Sequence, residues 1–292
     1  TEGVQGDGAE KSQTWVVTAT DASGNEAEPV TITYTWEEGE IENTYLPGDF
    51  SVSPAKKVQF ASGNVVFQPS TKTWRFAPNQ LTVLGKYNKN VEKEDYKGWL
   101  DLFGWSTDSN YFGASSSSSD SHYEGDFVDW AANFGPMWHT MSSEEWEYLI
   151  NERPNASSLY SIATVNGTNG IILLPDDFVC PTGIEFNAQS YDWDTNSYSL
   201  ENWSKMESAG AVFLPCAGYR YEYEFRDDEY QSGRYWTSTP EGRLWFDDYY
   251  GLEVDNGGNP YYGYSVRLVY CKACEDDTEK PIITTSAKSA DL

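Results

Sequence analysis

Short apolar runs separated by turn residues make up most of this 292-residue chain. Alternating apolar residues at 58–60, 65–67 and 74–76 predict three short strands, and Ser62-Gly63-Asn64 supplies a turn between the first two. From Gly218 onward the sequence shows no helical period, only strand-like runs between glycine-rich turns. Because a strand buries every second side chain, such runs have to pack as small sheets.

Two segments carry a helical pattern. Ser142 and Glu145 form a capping box, and Trp146, Leu149 and Ile150 follow at helical spacing, which predicts a helix near 143–152. The second helix is predicted at 200–209, where a serine N-cap precedes the helix and a glycine follows it. Each helix is followed by an apolar run that ends in proline and is typical of a buried strand, at 170–175 and 211–215. The sequence therefore predicts an α+β fold with two helices and short twisted antiparallel sheets.

The two ends of the chain differ in pattern from the middle. Residues 1–36 alternate on both sides of an Asp21-Ala-Ser-Gly-Asn25 turn and predict a separate β-hairpin or partial β-sandwich, and the acidic segment 37–49 is predicted to be a linker. The main domain is predicted at 50–270. Residues 271–292 are predicted to be a tail or the start of a following repeat.

Charge excludes two classes of partner. The chain has 19 basic and 46 acidic residues, a formal net charge of −27. Nucleic acids and anionic membrane surfaces need clustered Lys and Arg, so neither is an expected partner. No segment approaches the roughly 20 apolar residues of a membrane-spanning helix, so membrane insertion of this chain is not expected.

Six ordered blocks carry a resemblance to a known group of proteins. They are similar to exported Bacteroidetes proteins whose domain resembles the C-type lectin fold, in the variant shared with formylglycine-generating enzymes and the variable proteins of diversity-generating retroelements. The blocks are Lys57-Val-Gln-Phe-Ala-Ser-Gly-Asn64, Glu144-Glu-Trp-Glu-Tyr-Leu149, Leu173-Leu-Pro-Asp-Asp177, Leu214-Pro-Cys-Ala-Gly-Tyr-Arg220, Tyr235-Trp-Thr-Ser-Thr-Pro240 and Tyr264-Ser-Val-Arg-Leu-Val269.

The two ends of the chain also resemble known proteins, and this resemblance implies where the protein is located. The hairpin resembles the last two strands of bacterial immunoglobulin-like surface repeats, and Asp277-Thr-Glu-Lys-Pro281 resembles the opening strand of such a repeat. It implies an extracellular or cell-surface adhesin-like protein in which neighbouring repeats of the same chain are partners. The alternative for the ends, that they are unstructured, stays open.

The segment 219–264 is the predicted binding region. It is rich in Tyr, Trp, Arg and acids and contains no Lys, a composition typical of protein interfaces and antibody paratopes. In retroelement-diversified relatives the variable positions lie in the interval that corresponds here to 241–264. We therefore expect a non-enzymatic recognition surface for a protein or carbohydrate ligand, formed by Arg234, Arg243, Trp245, Asp247, Tyr249, Tyr250, Glu253, Asp255, Asn256, Asn259, Tyr261 and Tyr262.

Alternation within the binding region separates core from surface. Trp236, Phe246 and Val266 are predicted to be core residues. In the adjacent pairs Tyr249-Tyr250 and Tyr261-Tyr262, one ring of each pair is predicted to be exposed, because neighbouring residues of an extended strand point to opposite faces.

The sequence supports metal binding and catalysis less well than it supports ligand recognition. No cofactor is expected. Calcium is the alternative, with Glu253, Asp255, Asn256 and Asn259 as oxygen ligands, although such Asx-Gly runs are more often plain turns. The two histidines, His122 and His139, lie in no recognisable nucleophile–base pattern. Formylglycine-generating enzymes work through a cysteine pair in their C-terminal part, and 217–270 contains no cysteine. An enzyme of that type and a structural spacer domain remain the alternatives.

Four cysteines are too few for a disulfide scaffold. Cys271 and Cys274 are expected to form a local disulfide where the chain leaves the domain. Cys180 and Cys216 follow the two Leu-Pro strands, and both a disulfide and two free thiols stay open for them.

Overall fold

A computed structural model describes the backbone of residues 2–4, 10–17 and 30–37, and residues 44–106, 125–221, 224–226 and 231–271 in full. The chain separates into two compact units, Thr1–Thr44 and Tyr45–Leu292. No helix among the described residues is both long and apolar enough to cross a membrane.

The N-terminal unit is a three-stranded antiparallel sheet. Its strands are β1 (Glu2–Val4), β2 (Glu10–Val17) and β3 (Val30–Glu37), with β2 in the middle. The β2–β3 pair runs from Glu10 opposite Glu37 to Val17 opposite Val30. The turn expected at 21–25 lies outside the described residues.

The second unit consists of many short strands and a few helices, an α+β arrangement. The strands are β4 (Phe50–Ser51), β5 (Lys57–Phe60), β6 (Val65–Gln68), β7 (Thr73–Phe76), β8 (Trp138–Thr140), β9 (Tyr160–Val165), β10 (Thr168–Leu173), β11 (Ser197–Tyr198), β12 (Val212–Pro215), β13 (Tyr219–Tyr221), β14 (Glu224–Arg226), β15 (Ser232–Trp236), β16 (Arg243–Asp247), β17 (Gly251–Asp255) and β18 (Leu268–Tyr270). The helices are α1 (Ser143–Glu147), which continues as a π-helical turn (Tyr148–Glu152), and α2 (Leu200–Ser208). Short 3-10 helices lie at Pro69–Thr71, Gly85–Asn90, Trp130–Asn133, Ala156–Ser158 and Trp193–Asn196.

Both helices begin where their capping residues predict. Ser142 Oγ accepts the Glu145 N–H at 3.2 Å, and the Glu145 carboxylate accepts the Ser142 N–H at 3.0 Å. Ser199 Oγ caps α2 by accepting the Asn202 N–H. Gly210 follows α2 with a φ of +95°, a conformation that favours glycine. Both predicted helices are confirmed.

The two Leu-Pro runs form neighbouring central strands. β10 and β12 pair antiparallel in a sheet of order β11-β9-β10-β12. Ile171 and Leu173 pack into one apolar cluster and Ile172 into another, so both faces of β10 are covered. The pairing of β11 with β9 is parallel, which differs from the purely antiparallel expectation. The cause is the long connection after β10, which returns the chain to the sheet in the direction of β9.

The last strand of this unit pairs with one of its first strands. β18 pairs antiparallel with β5 in a sheet of order β4-β5-β18-β8. Tyr45 forms a bridge to Ala61, and Leu46 is buried in the core, so the end of the predicted linker belongs to the domain.

Arg267 lies wholly inside the domain and joins several parts of it. Its guanidinium donates to Asn64 Oδ1 at 2.8 Å, Phe213 O at 3.1 Å, Ala61 O at 3.2 Å and Gln80 Oε1 at 3.3 Å. Burial lowers the pKa of Arg267 to about 10.

Candidate functional site

The predicted binding residues lie on a three-stranded sheet of order β15-β16-β17. Arg234, Trp245 and Glu253 are aligned across the three strands, and Arg243 lies opposite Asp255. Because side chains alternate along each strand, these residues share one face with Asp247. We call this side, together with the turn that joins β16 to β17, the polar aromatic face.

The opposite side of the same sheet is core. Tyr235, Leu244 and Phe246 are completely buried there in the main apolar cluster. The predictions that Trp236, Phe246 and Val266 are core residues are confirmed, since all three are buried.

An ion pair fixes two strands of the polar aromatic face. Arg243 Nε and Nη2 donate to the two carboxylate oxygens of Asp255 at 2.7 and 2.9 Å. Arg243 Nη1 also donates to the Tyr264 hydroxyl at 3.3 Å. Burial opposes ionisation of Asp255, but the hydrogen bonds from Arg243 and from the Gly257 N–H outweigh it and lower the pKa of the carboxyl group. The pair therefore stays charged at neutral pH.

A cluster of tyrosines adjoins the polar aromatic face. The Arg234 guanidinium lies 3.8 Å from the ring centre of Tyr219, a cation–π geometry. Tyr219 and Tyr221 both contact Tyr262, with ring centres 5.8 and 5.4 Å apart. Tyr262 in turn contacts Tyr261 at 4.9 Å. These contacts hold polar-tipped rings beside Arg234.

Tyr249 and Tyr250 project from the turn between β16 and β17. Their exposed fractions are 78% and 56%, so both rings are exposed and the prediction of one exposed ring is wrong for this pair. The reason is that Asp247 Oδ1 accepts the N–H groups of Tyr249 and Tyr250 at 2.9 and 2.6 Å, which closes a turn instead of a strand. Tyr250 leans toward Trp245, with ring centres 5.3 Å apart.

The second tyrosine pair also departs from the prediction. Tyr261 is 6% exposed and Tyr262 is half-buried, so neither ring is fully exposed. Tyr261 packs against Tyr221, with ring centres 6.2 Å apart. Tyr261 therefore contributes to the support of the site more than to its surface.

The four proposed calcium ligands do not share a common set of contacts. Glu253 and Asn256 are exposed, Asp255 is engaged by Arg243, and the Asn259 side chain faces the Tyr261 N–H at 3.5 Å. Among the described residues, no three His, Cys, Asp or Glu side chains are grouped as a metal-ligand set. Calcium binding stays a prediction.

Three tyrosines of the site were not among the predicted residues. Tyr219 and Tyr221 follow Gly218 in a Tyr-Arg-Tyr alternation, which is a local signal for one shared strand face. Tyr191 is 58% exposed and lies over Gly251, where a Cβ atom would come within 2.6 Å of its Cε1. No local pattern marks Tyr191, because its position depends on tertiary packing.

His139 belongs to a charged cluster, and His122 lies outside the described residues. Lys56 Nζ lies 2.7 Å from Glu145 Oε1 and 3.1 Å from His139 Nε2. Burial disfavours the Glu145 charge, but hydrogen bonds from His139 and Lys56 outweigh it and lower the pKa of Glu145 to about 2. This cluster stabilises the start of α1.

The cysteines divide into two kinds. Cys180 is exposed and Cys216 is buried, and both are free thiols. Burial raises the pKa of the Cys216 thiol, which therefore stays protonated and weakly reactive at neutral pH. Cys271 is disulfide-bonded, and Cys274 lies outside the described residues.

Comparisons with protein-family models, with curated proteins and with solved structures gave no match.

Proposed function

We propose that this chain is a non-enzymatic recognition module with a C-type lectin-like domain, displayed outside the cell, and that it binds a protein or glycan ligand through the polar aromatic face. The short antiparallel sheets and the two helices are compatible with that domain type.

One observation carries the proposal. The sheet β15-β16-β17 is apolar on one side and presents Arg234, Trp245 and Glu253 on the other, while Tyr249 and Tyr250 extend the same region into solvent. Ser232 and Trp236 are buried on the second side as well, but Trp245 stays partly exposed and Glu253 is exposed, so part of that side is open to a ligand. Rigid rings combined with Arg and acids supply contact area and hydrogen bonds at small entropy cost.

Binding to glycan and protein arrays tests this function. The double variant Tyr249→Ala/Tyr250→Ala removes two exposed rings that make no core contact, and we expect it to lose at least about 10-fold in affinity, as for interface hot spots. Tyr87→Ala is the matched control, because Tyr87 is 53% exposed but lies on the 3-10 helix Gly85–Asn90. Its affinity should equal that of the wild type.

Two results would contradict the proposal. A wild-type protein that binds nothing on either array would favour the spacer domain, and equal losses in the double variant and in Tyr87→Ala would point to nonspecific adhesion.

Repeating the measurement with EDTA tests calcium: unchanged affinity and unchanged melting temperature would remove the calcium alternative. We expect the protein not to convert the cysteine of a sulfatase peptide to formylglycine. Conversion that depends on Cys216, Cys271 or Cys274 would show that the chain is an enzyme instead of a binding module.

A further inference from the structure

One edge of the sheet β15-β16-β17 is open. β17 is the last strand of that sheet, and no described residue pairs with its outer side. Apart from β16, no described part of the chain forms a hydrogen bond with the backbone of Gly251–Asp255. Every second residue of such an edge strand directs its N–H and C=O groups away from the sheet. A strand from another chain can therefore pair with these groups.

This edge is accessible after its first residue. Gly251 is buried at the start of β17, where Tyr191 lies over it. Leu252 and Val254 are half-buried, and Glu253 is exposed. A pairing strand would therefore meet the part of β17 that follows Gly251.

A groove adjoins the end of this edge and extends over α1. Its volume is about 630 Å³, within the range of ligand sites. Residues 254–256 line it at the end of β17, and Glu144, Tyr148 and Glu152 line it on the helix. Because these three residues are four positions apart, they lie along one side of the helix. The groove therefore connects the open edge of β17 with the solvent-facing side of α1.

The groove is acidic. Its lining includes five carboxylates, those of Glu144, Glu145, Glu147, Glu152 and Asp255. Two of them are neutralised, because Glu145 pairs with Lys56 at 2.7 Å and Asp255 pairs with Arg243 at 2.7 Å. The other three form no ion pair with a described residue. The negative potential that they create favours a cationic ligand.

The charge also decides which kind of chain can pair with β17. Two copies of this protein that paired along β17 would bring two acidic grooves together, and like charges in opposing strands are destabilising. A glycan has no regularly spaced amide groups with which to continue a sheet. A peptide segment that carries Lys or Arg supplies both the backbone groups for the edge and the cations for the groove.

We propose that an extended, basic segment of a partner protein adds to the sheet along β17 and extends its Lys or Arg side chains over the acidic side of α1. This site goes beyond the proposed function. It uses the edge of one strand and a helix, whereas the polar aromatic face uses one side of the sheet and the turn between β16 and β17. Asp255 is the one residue of that face that also lines the groove, so peptide binding does not depend on a ligand at the face.

Titration of the full chain with synthetic octapeptides tests the site. The probe alternates lysine and threonine, and we expect saturable binding by calorimetry. A peptide that alternates glutamate and threonine should bind at least about 10-fold more weakly, because the groove repels it. A lysine–threonine peptide with methylated backbone amides keeps its charge but loses its N–H donors, and it should also bind at least about 10-fold more weakly.

Hydrogen exchange locates the bound peptide. The unmodified lysine–threonine peptide should slow amide exchange within 251–255, because strand addition protects the outward N–H groups of β17. Unchanged exchange in these residues at saturating peptide would overturn the proposal.

Two charge variants test the groove. Glu144→Gln/Glu152→Gln removes two exposed carboxylates and leaves the Ser142–Glu145 capping box intact, and we expect a loss of about 5-fold in affinity for the lysine–threonine peptide. Glu92→Gln/Glu94→Gln is the matched control, because it removes the same charge from exposed positions outside the groove. Its affinity should equal that of the wild type.

Four results would contradict the proposal, and two of them require no variant. Absence of saturable binding would remove the site, and equal affinity for the methylated and unmethylated peptides would show charge attraction without strand addition. Equal losses in the two charge variants would show an effect of net charge alone. Loss of peptide binding in Tyr249→Ala/Tyr250→Ala but not in Glu144→Gln/Glu152→Gln would place the peptide on the polar aromatic face instead.

Discussion

Arg267 shows how one residue can join strands that are far apart in sequence. Its guanidinium donates hydrogen bonds to neutral oxygen atoms of β12, of the turn after β5 and of Gln80. None of these acceptors is a carboxylate. A buried guanidinium is tolerated here because its N–H groups donate hydrogen bonds. These bonds take the place of the usual pairing with an opposite charge.

Replacing Arg267 should therefore be costly. Arg267→Met leaves several buried acceptors without donors, and we expect a loss of about 3 kcal/mol or more in the free energy of unfolding. Urea denaturation followed by tryptophan fluorescence measures this loss. Arg75→Met is the control, because Arg75 is exposed and should change stability by less than about 1 kcal/mol. Equal effects in the two variants would contradict a bridging role for Arg267.

Asp101 gives the domain a pH dependence of unusual sign. The residue is completely buried, and burial raises its pKa from 3.8 to about 6 despite hydrogen bonds from Asn88 and Leu84. The folded state thus holds this proton more tightly than the unfolded state does. The resulting stabilisation is fully present below about pH 4 and is lost as pH rises through about 6.

This contribution can be isolated by comparing wild type with Asp101→Asn. Between pH 4 and pH 7 we expect the wild type to lose up to about 3 kcal/mol relative to the variant, since each pKa unit corresponds to about 1.4 kcal/mol. Denaturant titrations at a series of pH values measure the difference. Parallel curves for the two proteins would show that Asp101 is ionised in the folded state.

At the scale of elements, the Arg243–Asp255 fork joins β16 to β17. Lysine cannot reproduce two parallel hydrogen bonds to one carboxylate, so Arg243→Lys should cost about 1 kcal/mol, a value that allows for partial exposure of the pair. Because the fork lowers the pKa of Asp255, NMR titration of this carboxyl should show a higher pKa in the variant. An unchanged titration would mean that the fork is not populated in solution.

Elements with a local signal were predictable, and those that depend on distant contacts were not. Ser142 and Ser199 mark the helix starts because a cap bonds only to its own first turn. The parallel pairing of β11 with β9 was not predictable in this way, because it joins segments that are far apart in the chain.

The candidate site divides in the same way. Six predicted residues share the sheet face because strand alternation is a local rule, and that rule placed them correctly relative to one another: Arg234, Arg243, Trp245, Asp247, Glu253 and Asp255. Tyr191 has no such pattern. Its place in the site depends on Gly251, a neighbour supplied by another part of the chain.

At the scale of the whole molecule, the two compact units should be separable. Three apolar clusters formed by described residues lie within the second unit. We expect removal of residues 1–43 to change its melting temperature by less than about 5 °C, which corresponds to roughly 1 kcal/mol in a domain of this size. Differential scanning calorimetry of the full chain and of the shortened chain measures this, and a larger decrease would show that the N-terminal sheet contributes to the main core.

The arrangement around β5 also determines how the domain responds to tension. Tyr45 lies opposite Ala61 and Ser51 opposite Lys57 on one side of β5, while Val269 and Tyr270 lie opposite Phe60 and Gln59 on the other. The entering and leaving segments therefore run in the same direction, and a pull on the two ends drives them past β5 in opposite senses. The ladder hydrogen bonds are then loaded together in shear instead of being peeled apart one by one, so this sheet acts as a mechanical clamp.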